Sequence, residues 1–163
     1  MNNLKDKNIL LCITGSIAAY KACDLLRFLR KEGSNVQVAM TPSALNFVGE
    51  TSFSALSNHE VITKVFPSKK GETGLEHVNL AIDLDAIIVA PATANILGKS
   101  ASGVADDVVS TLLSICEQPT IFVPAMNFRM WQNKSTINAV DILKKQGKIV
   151  MNPDEGQLAS LHE

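Results

Sequence analysis

Cysteine and aromatic residues are scarce in this chain: its 163 residues include three cysteines, one tryptophan and one tyrosine, and aromatics make up 5%. Cys12, Cys23 and Cys116 are odd in number, lie in apolar runs and show no metal-ligand spacing. They read as reduced core residues, which argues against a disulfide framework and a metal site. Charge of one sign is missing too. Fifteen Lys and Arg against sixteen Asp and Glu leave a formal net charge of -1, so a polyanion such as nucleic acid is not the expected partner. No apolar run approaches the ~20 residues of a membrane span, and the opening MNNLKDK is polar. Neither a signal peptide nor an anchor is expected, and the protein is expected to be soluble and cytoplasmic. G-x-G-x-x-G is absent at the first turn, where only Gly15 stands in TGSIAAYK, and so is the Walker lysine pattern. A mononucleotide or a single phosphate is therefore expected rather than NAD or ATP.

What is present is apolar and periodic. The chain is 46% hydrophobic and of a length suited to one domain, able to bury roughly 70% of its unfolded surface. Strand-length apolar runs (NILLCIT, VQVAM, EVITKVF, DAIIVA, TIFVPA and KIVMN) alternate with segments of helical period at 16–32, 43–57, 74–83, 94–116 and 134–146. In the first helical segment Ala18, Ala22, Leu25 and Leu29 share a face and Gly33 follows as a stop. The strands are Val/Ile-rich and do not alternate, which predicts helices on both faces of the sheet. The expected fold is α/β, a Rossmann-like three-layer αβα domain with a doubly wound six-stranded parallel sheet and right-handed crossovers.

In such a fold the ligand lies beyond the carboxyl ends of the strands. Those ends share small residues and hydroxyls: Thr14-Gly15-Ser16, Thr41-Pro42-Ser43, Pro91-Ala92-Thr93-Ala94-Asn95 and Pro124-Ala125-Met126-Asn127. Ser16 and Ser43 are candidate phosphate-facing hydroxyls at helix N-termini, although serine and threonine there also serve as plain N-caps. Thr73 and Glu76 have capping-box spacing, which predicts a helix from about residue 74 with His77 in its first turn. The helix terminus disfavours imidazolium there, so His77 is a candidate base or hydrogen-bond partner, or else a structural histidine. His59 and His162 have no such placement. Asn95 and Asn127 suit either a carboxylate ligand or the turn's own backbone, and Met126, Met130 and Trp131 suit core or interface packing.

The stretches ITGSIAAYK, HVNLA, PATAN and above all PAMNFRMW resemble, over essentially the whole chain, the homo-oligomeric flavin-containing cysteine decarboxylases. P-x-M-N-x-x-M-W is highly specific for that family. The resemblance implies a single flavoprotein domain over 1–163 with FMN across the strand ends. Its phosphate would lie on Gly15, Ser16, Ile17, Thr41 and Ser43, and its ring against Pro91, Ala92, Thr93, Asn95 and Met126. It also implies His77 as catalytic residue, Asn127 as the carboxylate-binding residue, Met130 as a further substrate contact, and trimers or dodecamers with sites at subunit boundaries. The implied chemistry needs no metal: oxidation of the cysteine CH2–SH to a thioaldehyde provides the electron sink that lets CO2 leave, giving an enethiolate.

The family's C-terminal segment closes over substrate, and residues 154–163 are the expected start of that clamp, with Ala159 and Ser160 against the substrate. In the coenzyme A branch the resembling motif is E-G-x-L-A-C-G, whereas here EGQLASL puts Ser160 where the acid-supplying cysteine stands. Serine is a far weaker acid, which bears on reduction of the enethiol. The resemblance thus implies decarboxylation of 4'-phospho-N-pantothenoylcysteine to 4'-phosphopantetheine, with oxidative decarboxylation of a C-terminal peptidyl cysteine as the alternative. A non-catalytic FMN-binding regulatory subunit stands third and a flavin prenyltransferase fourth.

Overall fold

The strand Asn8–Ile13 (β1) is apolar from Ile9 onward, and each side chain from Ile9 to Ile13 is buried whichever way the pleat turns it, because helices cover both faces there. The computed structural model describes residues 4–65 and 83–153. After β1 come a 3₁₀ turn Ile17–Tyr20, helix α1 Lys21–Lys31, strand β2 Asn35–Met40, a 3₁₀ turn Ala44–Asn46 and helix α2 Glu50–Ser57. The chain continues with β3 Ala86–Ala92, α3 Ala94–Ser102, α4 Val108–Ile115, β4 Thr120–Pro124, α5 Phe128–Trp131, α6 Lys134–Lys145 and β5 Ile149–Val150. All neighbouring strands pair in parallel, in the order β2-β1-β3-β4-β5. The expected αβα layering holds.

The expected sixth strand does not form among the described residues, which contain five. Of the run beginning at Glu60, only Ile62 bridges the sheet, in parallel with Ala39: Ile62 N donates to Val38 O, and Ile62 O accepts from Met40 N, both at 2.9 Å. Two hydrogen bonds on the outer edge of β2 hold a bridge, not a ladder.

Helix phase and punctuation account for the other differences. Residues 17–20 are wound as 3₁₀ and α1 starts at Lys21; Ala22, Leu26 and Leu29 form its buried stripe, while Ala18 and Leu25 are half-buried. Gly33 ends this unit at φ +93°, a conformation that favours glycine, and a Cβ there would lie 3.2 Å from Lys5 Cα. Segment 43–57 is a 3₁₀ turn followed by a separate helix. Segment 94–116 is two helices: α3 ends at Gly103 in the left-handed region, and Asp107 starts α4 with a capping box in which its Oδ1 accepts from Ser110 N at 2.9 Å. Lys99 Nζ reaches Asp107 Oδ2 at 2.7 Å and Asp106 Oδ1 as well, fastening the connection.

Coverage of the sheet is unequal. Helices α1 and α2 pack on one face of β1 and β2, and α3, α4 and α6 pack on the other face of the sheet. In β3 to β5, Ile87, Val89, Phe122 and Val150 turn to the helix-covered face and are buried, whereas Ile88, Ile121 and Val123 are half-buried and Ile149 is 53% exposed. Among the described residues the α1-side cover is complete over β1 and β2, extends to β3 through the buried Ala90 with Ile88 and Val123 packed partly against the same cluster, and leaves Ile121 and Ile149 less covered.

Candidate functional site

The chain winds outward from β1 to β2 on one side and through β3, β4 and β5 on the other, so the topological switch point lies between β1 and β3. A crevice opens at such a point because consecutive loops leave in opposite directions. Thr14 sews its floor. Its buried Oγ1 donates to Pro91 O at 2.7 Å and accepts from Thr93 N at 3.2 Å, joining the end of β1 to the end of β3. Sequence reasoning noted Thr14 at the strand end without this role; the signal was a hydroxyl ending an otherwise apolar strand.

Gly15 sets how close the first two loops come. A Cβ at this position would meet Ser43 Cβ at 2.7 Å and Ser43 Oγ at 2.9 Å, so only a glycine lets the β2 loop lie against the β1 loop. Ser16 caps the 3₁₀ turn, its Oγ accepting from Ala18 N at 3.3 Å, and lies 3.4 Å from Ala125 O at the end of β4. Ser43 differs: it opens the Ala44–Asn46 turn with no side-chain cap bond and is exposed, so the plain N-cap role falls to Ser16 and not to Ser43. Thr41 is buried beneath this loop, its Oγ1 accepting from Ala44 N at 3.3 Å, and supports the loop from inside. Ile17 is 60% exposed beside it.

On the other side of the crevice Pro91 and Ala92 are buried at the end of β3, and Ala92 O accepts from Ala125 N at 3.1 Å. Thr93 caps α3, with Oγ1 accepting from Ile96 N at 3.4 Å, and Asn95 is exposed in the first turn of that helix. Beyond β4 the chain turns directly into α5, for which Asn127 is the N-cap: Asn127 Oδ1 accepts from Arg129 N at 2.7 Å. That bond fixes the carboxamide at the crevice rim. Met126 and Trp131 pack against the core, while Met130 is exposed. Thus Gly15, Ser16, Ser43, Pro91, Thr93 and Asn127 come together at one end of the sheet. His77, Ala159 and Ser160 lie outside the described residues.

The surroundings of all three cysteines disfavour the thiolate. Burial pushes the Cys12 thiol far up, with Cys116 and Asp107 adding to the shift, and burial also raises Cys23 and Cys116. All are free thiols. Among the described residues no group of three or more His, Cys, Asp or Glu side chains could hold a metal ion, and no helix is long and apolar enough to cross a membrane.

The chain is 43% identical over 156 residues to the coenzyme A biosynthesis bifunctional protein CoaBC of Bacillus subtilis (strain 168), covering 96% of this chain and 38% of that protein. The CoaBC protein of Escherichia coli (strain K12) is 36% identical over 157 residues, with the same shares covered. The chain thus spans well under half the length of these relatives. Among solved structures, the FMN-dependent cysteine decarboxylase SpaF superposes with a TM-score of 0.86 at 31% identity, covering 94% of this chain and 87% of that one. A PPC decarboxylase mutant complexed with pantothenoylaminoethenethiol gives 0.80 at 29% identity, covering 95% and 86%. The Flavoprotein family model matches residues 1–163, and the chain belongs to that family.

Proposed function

We propose that this protein is an FMN-dependent cysteine decarboxylase of the cytoplasm that converts 4'-phospho-N-pantothenoylcysteine to 4'-phosphopantetheine in coenzyme A biosynthesis. The observation that carries this reading is the Gly15–Ser43 approach at the β1/β3 switch point, together with the similarity to CoaBC and to solved cysteine decarboxylases.

The residues present fit FMN. A phosphate needs a close backbone approach and nearby hydroxyls, and the glycine-opened contact of the first two loops brings Ser16 and Ser43 there, Ser43 with no cap bond of its own. The ring would lie against Pro91 to Asn95 and Met126. Bound FMN supplies the two-electron oxidation of the cysteine CH2–SH that gives the departing CO2 an electron sink. Asn127, oriented through its Oδ1, offers the substrate carboxylate an amide donor at the rim, which aligns it without adding a second negative charge. His77 is assigned the proton-handling role, and residues 154–163, with Ala159 and Ser160, the start of a clamp over the substrate.

Assembly as a trimer or dodecamer, with sites at subunit boundaries, belongs to the same proposal. It is supported by the exposed Ile149 on the sheet and by Ile17, Phe47, Phe128 and Met130, all 47% exposed or more around the strand ends. Ser160, standing where the coenzyme A branch carries cysteine, favours a second reading, an oxidative decarboxylase of C-terminal peptidyl cysteine that stops at the enethiol.

Mass spectrometry of the product formed from 4'-phosphopantothenoylcysteine by the flavin-loaded protein under anaerobic conditions separates the readings. A saturated decarboxylated thiol on repeated turnover supports the coenzyme A enzyme. An enethiol formed once per flavin supports the oxidative one, and no loss of CO2 leaves a flavin-binding protein without this activity.

A further inference from the structure

A cavity of about 330 Å³ lies between the first turns of α1 and the ends of β3 and β4. It shares Pro91 with the proposed cofactor residues and includes none of Gly15, Ser16, Thr41, Ser43 or Asn95. Ala125, two residues before Asn127, also lines it, so it opens next to where the cysteine carboxylate would be held. Its walls are mostly apolar. Among the described residues lining it, Lys21, at the start of α1, is the only charged one, and Asn152 adds an amide. Lys21 pairs with no carboxylate among the described residues.

Resting on the decarboxylase reading, we propose that Lys21 receives the terminal phosphate of the substrate, with the substrate's branched aliphatic stretch along the apolar wall beside Ala18 and Leu25. The ammonium group is a compact point charge suited to a phosphate monoester. A peptide ending in cysteine carries no phosphate, so Lys21 selects between the two substrate classes. The site is distinct from the cofactor phosphate cradle, whose serines lie outside the cavity. Sequence reasoning passed over Lys21 because it sought a Walker pattern; the signal was one lysine opening an amphipathic helix at the strand ends.

The test is Lys21→Gln and Lys21→Arg in the full-length flavin-loaded protein, with 4'-phosphopantothenoylcysteine and its dephosphorylated analogue as substrates. K21Q is expected to raise KM for the phosphorylated compound about ten-fold with kcat little changed, to leave KM for the analogue within about two-fold, and K21R to recover part of the loss. Equal effects on both compounds, or none, overturn the proposal. Loss of FMN affinity in K21Q, read by flavin fluorescence, also overturns it by giving the lysine to the cofactor's phosphate. Should the wild-type protein turn over neither compound, the decarboxylase reading fails on its own. Calorimetry with 4'-phosphopantetheine against pantetheine still decides Lys21: a phosphate preference that K21Q abolishes supports it, and no preference overturns it.

Discussion

The two halves of the sheet are built differently from similar strands. β1 and β2 are sealed by helices on both faces, so Leu10 and Leu11, which point in opposite directions, are both fully buried. β4 alternates, with Phe122 buried and Ile121 and Val123 half-buried, and β5 leaves Ile149 exposed. The sealed half is a rigid base for the first two loops. The other half is less covered by the described residues, with Ile121 and Val123 half-buried and Ile149 exposed.

The contrast is open to measurement. Leu11→Ala, in the sealed half, is expected to cost about 2–5 kcal/mol in urea unfolding, since the side chains packed around it between the sheet and α1 cannot fully collapse into the gap. Gly15→Ala is expected to cost about 1–3 kcal/mol by pushing the β2 loop away, and FMN retention on gel filtration should fall with it. Equal FMN content in the variant would remove the loop contact from the binding site.

Asp107→Ala removes an N-cap and an ion-pair partner, for an expected loss of about 1 kcal/mol. Burial tends to raise the Asp107 pKa, but the hydrogen bonds from Lys99 and Ser110 outweigh it and the net direction is down. A lowered folded pKa makes this contribution complete above the unfolded value near ~3.9 and lost as pH falls below it. Asp107→Asn, which keeps the cap, should flatten that acidic limb; an unchanged limb would assign the pH dependence to other groups.

Smallest is Ile149→Ser in the less covered half, expected to change unfolding by less than about 0.5 kcal/mol if the face meets only water. If copies of the chain meet there, the same change should shift the sedimentation coefficient towards the monomer. A large loss of stability without a change of assembly would mean that the protein's own chain covers this face.

Much of this was legible in the sequence because it is local. Apolar runs of strand length, Gly33 after the first helix and hydroxyls at the strand ends each act over a few residues, and the strand ends do converge. The failures were also physical. The run from Glu60 is as apolar as a strand, but at the sheet edge its described residues, 60–65, make only the Ile62 bridge. Segment 94–116 keeps its apolar period across a break that Gly103 and Asp107 impose. Ala18 falls in a 3₁₀ turn that precedes α1, which side-chain pattern alone does not distinguish from α, and Leu26 rather than Leu25 takes the buried position beside Ala22 and Leu29.

The sequence by itself determined the layered α/β architecture, the end of the sheet that carries the candidate site and the family resemblance, since these rest on periodicity, turn residues and a contiguous motif. Only the tertiary structure decided that Gly15 is required by Ser43, that Thr14 ties β1 to β3, that the described residues cover the two halves of the sheet unequally and that Lys21 lines a cavity. Each of these joins residues far apart in the chain, and such contacts are fixed by strand order and crossover hand, which no local pattern encodes.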